Sequence, residues 1–374
     1  MKIGILLDST LDSPDGVQQF VLQIGAHMAR QGHEVHYLVG ESKRTDVQNV
    51  HSLSRNVKVA FNGNVISSPL PVSRHAVTKL LDILELDIIH VQTPFSPLLA
   101  GKVLRAAKRR GIPVVSTFHI LPFGLAGRAG NVALGAWLRL YTPAITVSVA
   151  VSKPAAKYAQ KHYGLHSRVI PNPITVADFS ANGATNAIPK IVFLGRLVER
   201  KGSMKLLQAL AYMSEHKLYG GEYTAVIAGK GALAEDLQSF ASSYGLTDIV
   251  TFPGFIPETE KGRLLASADI AVFPSTGGES FGISLLEAFA ASNGVVLAGD
   301  NPGYASVVPD DRNLITPGHT ENFAKALAYW LENSNQRIEM ADLQKDYVKQ
   351  FDIHRIGALY ESVYSEALQS VKGS

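Results

Sequence analysis

The chain has 374 residues, 46% of them hydrophobic and 18% charged, enough apolar surface for two globular domains of ordinary size. Its net charge of +3 is too small to argue for a nucleic-acid partner, and a basic cluster such as Lys108-Arg109-Arg110 reads as a solvated helix end. The lack of cysteine excludes disulfides, thiolate zinc sites and a catalytic thiol, and fits a reducing compartment.

The opening MKIGILLDST is too short in its apolar run for a signal peptide and reads as a strand, Lys2–Leu7. Val17, Phe20, Val21, Ile24 and Met28 then form a stripe at helical spacing, stopped by Gly32. Further strands are expected at Glu34–Val39, Asp87–His90, Pro113–Thr117 and Ile145–Val151. No stretch approaches the ~20 apolar residues needed to span a bilayer. The chain is therefore expected to be cytoplasmic, either soluble or peripheral on a membrane surface. Small polar residues with proline at both ends mark residues 173–189 as a linker after a first domain of residues 1–172. A second βα series follows in residues 190–352, with strands at Lys190–Gly195, Tyr223–Gly229, Ile249–Phe252, Ile270–Phe273 and Val295–Ala298. The alternation predicts an α/β fold of two Rossmann-like domains with parallel sheets, whose strand ends face one ligand across a cleft. The amphipathic end of the chain, with Ile356, Leu359, Tyr360 and Tyr364, predicts a helix over residues 353–374 that packs back on the first domain.

Three loops carry candidate chemistry. GGESFGISLLE, residues 277–287, follows a strand and opens a helix expected at Ile283–Ala291. Gly277 and Gly278 let backbone approach a ligand, Ser280 and Gly282 suit a helix start, and free N–H groups there suit a diphosphate. Glu279 and Glu287 lie about 7 Å apart along such a helix, roughly a diphosphate's reach. A capping glutamate plus a solvated helix glutamate accounts for the spacing equally well. GRLVERKG, residues 195–202, brings Arg196 and Lys201 to a strand-to-helix turn, where fixed cations can stabilise a departing diphosphate; a merely solvated basic loop is the alternative. SPDGVQ, residues 13–18, offers the Gly16 amide, although an ordinary Pro-Asp-Gly turn fits too. It is no dinucleotide fingerprint, because glycine does not recur at the required spacing. His119 follows a strand closely and is expected to point toward the cleft.

Together these segments resemble family 4 glycosyltransferases of GT-B fold, and bacterial phosphatidylinositol mannosyltransferases among them. The resemblance runs through DGVQ, FNGN (61–64), DIIHVQTPFSP (87–97), STFH (116–119), VAVS (149–152), IPNP (170–173), FLGRLVERKG (193–202) and ADIAVFPSTGGESFGISLLEA (268–288). It implies a retaining hexosyltransferase using a nucleotide sugar, GDP-mannose or UDP-glucose, with front-face attack and no protein general base. By the resemblance Glu279 contacts the transferred sugar, Glu287 holds the ribose, and Arg196, Lys201 and the Gly16 amide neutralise the diphosphate. Gly278, Ser280, Phe281, Gly282, Ile283 and Ile256 complete the donor side, and His119 lies beside sugar and acceptor. Base selection is expected around Gly229-Lys230 and Gly254-Phe255-Ile256. No paired-aspartate metal motif is present, so any magnesium would ride on the diphosphate.

The implied acceptor is a membrane lipid headgroup such as phosphatidylinositol, met by Ser9, Asp12, Gln18, Asn62, Gly63 and His119. Here the chain departs from the family pattern. Ser9 replaces an aromatic residue, Asp15 replaces a glycine, and ILPFGLAGRAG after His119 is apolar where the family is polar. PFSP and that apolar loop are also similar to diacylglycerol glucosyltransferases. Residues 123–141 mix Leu125, Val132, Leu134, Trp137, Leu138 and Leu140 with Arg128 and Arg139, and suit an anionic membrane surface with Arg74, His75 and Lys79 nearby; a buried helix is the plain alternative. A soluble sugar or polyol acceptor, and a sugar-nucleotide-binding scaffold without turnover, are the other readings. A dehydrogenase lacks its glycine fingerprint, and nothing supports the acid–base set of an epimerase.

Overall fold

The computed structural model describes residues 1–13, 15–61, 64–124, 132, 134–179 and 186–372, in two compact units. One unit comprises Met1–Pro173 with Ile353–Ser374, the other Ile174–Asp352. The first is built from β1 (Lys2–Leu7), α1 (Gly16–Arg30), β2 (Glu34–Val39), β3 (Val50–Ser52), the hairpin β4 (Asn56–Phe61) and β5 (Asn64–Pro69), and α2 (Arg74–Leu84). It continues through β6 (Ile88–Thr93), α3 (Ala100–Arg109), β7 (Val114–Phe118), β8 (Val147–Ala150), α4 (Lys153–Tyr163) and β9 (Ser167–Val169). The second unit runs β10 (Lys190–Leu194), α5 (Ser203–Glu215), β11 (Thr224–Ala228), α6 (Ala234–Ser243), β12 (Val250–Gly254), α7 (Glu258–Ala266), β13 (Ile270–Phe273) and α8 (Ile283–Ala291). It closes with β14 (Val295–Gly299), α9 (Pro302–Ala305), β15 (Leu314–Ile315), α10 (Thr320–Glu332) and α11 (Ser334–Val348), before α12 (Ile353–Lys372) returns to the first unit.

Each unit holds one parallel sheet, in the order β3-β2-β1-β6-β7-β8-β9 and β12-β11-β10-β13-β14-β15. Leaving the β4–β5 hairpin aside, both follow the doubly wound order in which the chain reverses direction beside its first strand. The two switch points therefore lie between β1 and β6 and between β10 and β13, where such sheets bind ligands outside their carboxyl ends. Runs such as IIHVQT and IAVF are buried throughout, as strands covered on both faces require.

Beyond shifts of one or two residues at strand ends, the structure differs from the sequence expectation in three places. Strand β6 runs to Thr93 rather than His90, because Thr93 Oγ1 donates to the Thr117 carbonyl at 2.8 Å and Gln92 Oε1 bonds His119 Nε2 at 2.8 Å. Polar side chains that satisfy one another can lie inside a sheet. The short strands β3, β9 and β15 and the β4–β5 hairpin carry no long apolar run to announce them. Much of the expected linker is folded into the second unit: Ile174 N–H donates to the Phe351 carbonyl at 3.0 Å, Val176 N–H donates to Asp352 Oδ2 at 3.2 Å, and Val176–Phe179 form a 3-10 turn.

Helix α12 supplies core to the first unit. Ile356, Tyr360, Val363, Tyr364 and Ala367 join Ile3, Ile5, Phe20 and Ile24 in one buried cluster. The Tyr364 and Tyr360 hydroxyls meet His90 Nδ1 at 2.8 Å and Thr117 Oγ1 at 3.1 Å, so the polar tips of both rings are satisfied at full burial.

Candidate active site

The loops after β10 and β13 flank the second unit's switch point, and backbone contact fixes one against the other. The Arg200 carbonyl accepts from Ser275 Oγ at 2.9 Å and from Thr276 N–H at 2.9 Å. Gly202, at φ +77°, lies so close to Pro274 that a Cβ would stand 1.9 Å from its carbonyl oxygen, a place only glycine can occupy. From below, Gly303 packs on the Glu279 backbone, where a Cβ would meet the carbonyl oxygen at 2.0 Å. Asn301 Nδ2 donates to the Ser275 carbonyl at 3.1 Å.

These contacts bring Glu279 onto two cations. Arg200 Nη1 lies 2.5 Å and Lys201 Nζ 2.9 Å from Glu279 Oε1, and Ser275 Oγ, whose single proton is shared between the Arg200 carbonyl and this carboxylate, lies 3.1 Å from the same oxygen. Burial alone would push the Glu279 carboxyl up; Lys201 and Arg200 outweigh it and hold the carboxyl at about 2. Lys201 is pulled below its ordinary value by burial, with Arg200 and Arg196 adding to that and Glu279 opposing it. The group is a fixed carboxylate inside a patch of net positive charge.

Glu287 lies five residues into the α8 sequence from Gly282 and is 5% exposed, not solvated. Its Oε1 pairs with Lys261 Nζ at 3.0 Å, and Lys261 also meets Glu258 at 2.7 Å. Burial would lower the Lys261 ammonium, but the two carboxylates raise it above its ordinary value. Nor is Glu279 a cap: Gly282 precedes α8 with no side-chain bond to its amides. Ile283 opens α8 and is buried, as is Phe281, whose ring meets Phe351 edge-on at 5.9 Å. Gly278 and Ser280 stand in the loop between β13 and α8, and Ile256 is half-buried just after β12. Beside it Lys230 Nζ lies 5.5 Å over the half-exposed Phe255 ring.

In the first unit the expected acceptor residues are largely engaged within their own loops. Ser9 closes a tight turn after β1, its N–H on the Leu7 carbonyl at 2.8 Å. Asp12 accepts from Ser42 Oγ at 2.7 Å and Lys43 N–H at 3.0 Å, which fastens its loop to the one after β2. Gln18, buried on α1, donates to the Thr10 carbonyl at 3.0 Å, and Gly16 is the first residue of α1. His119 packs on Phe20 with centroids 4.8 Å apart, and burial drives its pKa down to about 3, so it is a neutral imidazole. Asn62 and Gly63 lie outside the described residues, as do Leu125 and Arg128, while Val132 and Leu140 are exposed.

Sequence reasoning missed Arg200, Ser275 and Lys261 in the second unit and Gln92 in the first. Arg200 stands beside Lys201 in a charged triplet, and nothing in spacing says which of the three is turned inward. Among the described residues no group of three or more His, Asp or Glu side chains is placed to hold a metal ion, and no helix is long and apolar enough to cross a membrane.

Two Rossmann-ordered units, one with a buried glutamate–cation cluster at its switch point, form the architecture of GT-B glycosyltransferases. The match extends to sequence: residues 14–178 fit the model of Glycosyltransferase Family 4 and residues 177–347 that of Glycosyl transferases group 1. A phosphatidyl-myo-inositol mannosyltransferase of Mycobacterium leprae is 30% identical over 99% of this chain and 98% of its own. An alpha-monoglucosyldiacylglycerol synthase of Streptococcus pneumoniae is 25% identical over 83% of this chain and 74% of its own. Among solved structures, Anabaena HepE in complex with UDP and glucose superposes with a TM-score of 0.75 at 19% identity, covering 98% of this chain and 99% of its own. The chain belongs to the family 4 glycosyltransferases.

Proposed function

We propose that this glycosyltransferase retains anomeric configuration and moves mannose from GDP-mannose to the headgroup of phosphatidylinositol, working peripherally at the inner face of the plasma membrane. The observation that carries the reading is the Glu279 carboxylate clamped by Arg200 and Lys201 at a switch point. Near-full-length likeness to the mannosyltransferase supports the choice of sugar and lipid over the diacylglycerol alternative.

In this reading the diphosphate lies against the free N–H groups of α8, with Arg196, Lys201 and the Gly16 amide taking its charge. The Glu279 carboxylate accepts from hydroxyls of the sugar, and Glu287, fixed by Lys261, accepts from the ribose. The acceptor oxygen attacks the anomeric carbon as the bond to the phosphate oxygen breaks, and that oxygen takes the acceptor's proton. Neutral His119 then serves as a hydrogen-bonding group beside the sugar rather than as an acid. Ser9 and Gln18 serve the acceptor side, and the resemblance assigns Asn62 and Gly63 to the same role; Asp12 holds the shape of its own loop. Any magnesium is carried on the diphosphate.

Calorimetry with GDP, UDP and ADP, then transfer from the matching nucleotide sugars to phosphatidylinositol or diacylglycerol in vesicles, tests the proposal. Tight GDP binding and a mannosylated phosphatidylinositol are expected. A preference for UDP with glucose on diacylglycerol would replace this reading, and transfer to soluble sugars alone would remove the lipid. Flotation with anionic vesicles at low salt checks the peripheral attachment, which fails if the protein stays at the bottom.

A further inference from the structure

The Glu279 clamp is uneven. Arg200, Lys201 and Ser275 all converge on Oε1, and among the described residues no group hydrogen-bonds Oε2. One oxygen is fastened and the other is presented. The two cations also differ in freedom. The Lys201 side chain is a flexible stem, 17% exposed, and the proposed reaction calls it to the diphosphate. Arg200 is 8% exposed, its carbonyl is tied to the loop after β13, and the next residue but one, Gly202, is wedged on Pro274. Its backbone is held on both sides and its guanidinium has little open space, so it has less freedom to leave the carboxylate than the lysine has.

We infer that Arg200 is a positioning residue: it holds Glu279 by Oε1 so that Oε2 faces the hydroxyls of the transferred sugar, and it remains there as the counter-charge once the diphosphate draws Lys201 away. The inference rests on the proposed role of Glu279 as the sugar's carboxylate partner. A guanidinium buried only for stability would have its donors satisfied, yet Arg200 Nε is buried with no acceptor among the described residues. With Glu279 negative and Arg200 and Lys201 positive, the cluster has one positive charge to offer an incoming diphosphate and becomes balanced only by releasing the lysine. Among the described residues Tyr304 also faces the carboxyl, a buried phenol held neutral by burial and by Glu279 itself.

The test compares Arg200→Gln and Arg200→Lys with the parent and with Glu279→Gln. Binding of GDP and UDP is measured by calorimetry, and kcat and KM for transfer to phosphatidylinositol are followed from pH 3 to 8 with whichever sugar donor the parent uses, because the parent carboxyl is held at about 2. Arg200→Gln should lower kcat by about 100-fold, the scale of a misplaced catalytic contact, while changing nucleoside diphosphate affinity by less than about 3-fold. Its acid limb should move upward by about one pH unit or more, because Glu279 loses the cation that keeps it ionised. Arg200→Lys should restore the acid limb, since charge returns, and restore kcat in part, since the planar fork does not. Unchanged kcat and acid limb in Arg200→Gln would overturn the inference. So would a parallel loss of nucleoside diphosphate binding and activity with an unmoved acid limb, which is the signature of a merely structural arginine. If Arg200→Gln does not fold, Arg200→Lys decides: full parental kcat would show that no fixed fork is needed. Wild-type activity in Glu279→Gln would sink the reading of Glu279 itself, a failure separable from that of Arg200.

Discussion

The two units share one strand order and one kind of switch point, but the polar groups beside it differ: paired charges in the second, and in the first neutral side chains with one buried carboxyl, Asp8, which accepts from the Ser96 and Ala100 N–H groups. Between β10 and β13 the loops carry charged groups, Glu279 against Arg200 and Lys201, and the helix that follows carries Glu287 against Lys261, its carboxyl raised by burial in spite of that cation. Around β6 and β7 the interior polar groups are neutral: His90 on Tyr364 and Thr117, and His119 on Gln92. Topology sets where a ligand can sit, and side chains set what it can be. Paired charges suit a charged ligand, whereas neutral hydrogen-bonding side chains suit an uncharged polar one.

The largest effect should come from breaking the charged side at its centre. Glu279→Ala should cut transfer on the order of 1,000-fold while nucleoside diphosphate binding, measured by calorimetry, stays close to the parent's. Equal transfer would remove Glu279 from the reaction. Next comes the scaffold under it. Gly202→Ala places a methyl 1.9 Å from the Pro274 carbonyl oxygen at φ +77°. Overpacking against backbone together with left-handed strain should cost about 2–4 kcal/mol, read as a lowered unfolding midpoint of the second unit.

Acid should separate the units. His90 and His119 are both depressed to about 3 by burial, His90 with a smaller push from His119. Their folded pKa values lie below the ordinary 6.5, so the unfolded chain binds protons that the folded unit refuses. Their contribution is full above pH 6.5 and drains as pH falls toward 3, by at most about 1.4 kcal/mol per pH unit for each histidine. Asp8, whose carboxyl burial raises against hydrogen bonds from Ser96 and Ala100, pulls the other way. Glu279 is also depressed, but from 4.5 to about 2, so its contribution drains only below 4.5. Hydrogen exchange corrected for intrinsic rates should therefore show β6 and β7 opening before β10 and β13 as pH drops from 7 to 5. The reverse order would contradict this assignment of charge.

The same contrast explains what the sequence revealed. Helix α8 matches the expected Ile283–Ala291, and strands β1, β2 and β13 match to the residue, because short apolar runs that stop at a polar residue, glycine or proline mark them locally. The candidates Arg196, Lys201 and Glu279 stand out because each lies in a short glycine-bearing loop after a strand, whereas Glu287 is marked only by its spacing on the helix that follows. Arg200 does not stand out, since inward and outward cations in Glu199-Arg200-Lys201 look alike until the loop after β13 packs on them. The first unit's polar network was hidden for another reason: His90 and Tyr364 are 274 residues apart, and no local pattern links them. Asp12 has the right type and place for an acceptor ligand, yet it fastens the Ser42-Lys43 backbone instead.

The smallest effect sharpens the comparison, because among the described residues each unit holds an Arg–Glu pair at 2.5 Å. Arg168 and Glu366 join β9 to α12 with side chains 43% and 49% exposed, while Arg200 and Glu279 are 8% and 13% exposed. Identical length does not mean identical worth. Water and salt screen the first pair, and ordering two long side chains offsets most of its attraction, so Glu366→Ala should change stability by about 1 kcal/mol or less. Raising salt to 1 M should erase even that, the Debye length then falling to about 3 Å. In the buried pair the lost carboxylate leaves two cations facing each other out of water, which costs several times more and scarcely responds to salt. Chemical unfolding of Glu366→Ala and Glu279→Ala at low and high salt measures both. Comparable losses with comparable salt dependence would mean that burial does not distinguish the two sites, and the charged character given to the second unit's switch point would lose its physical basis.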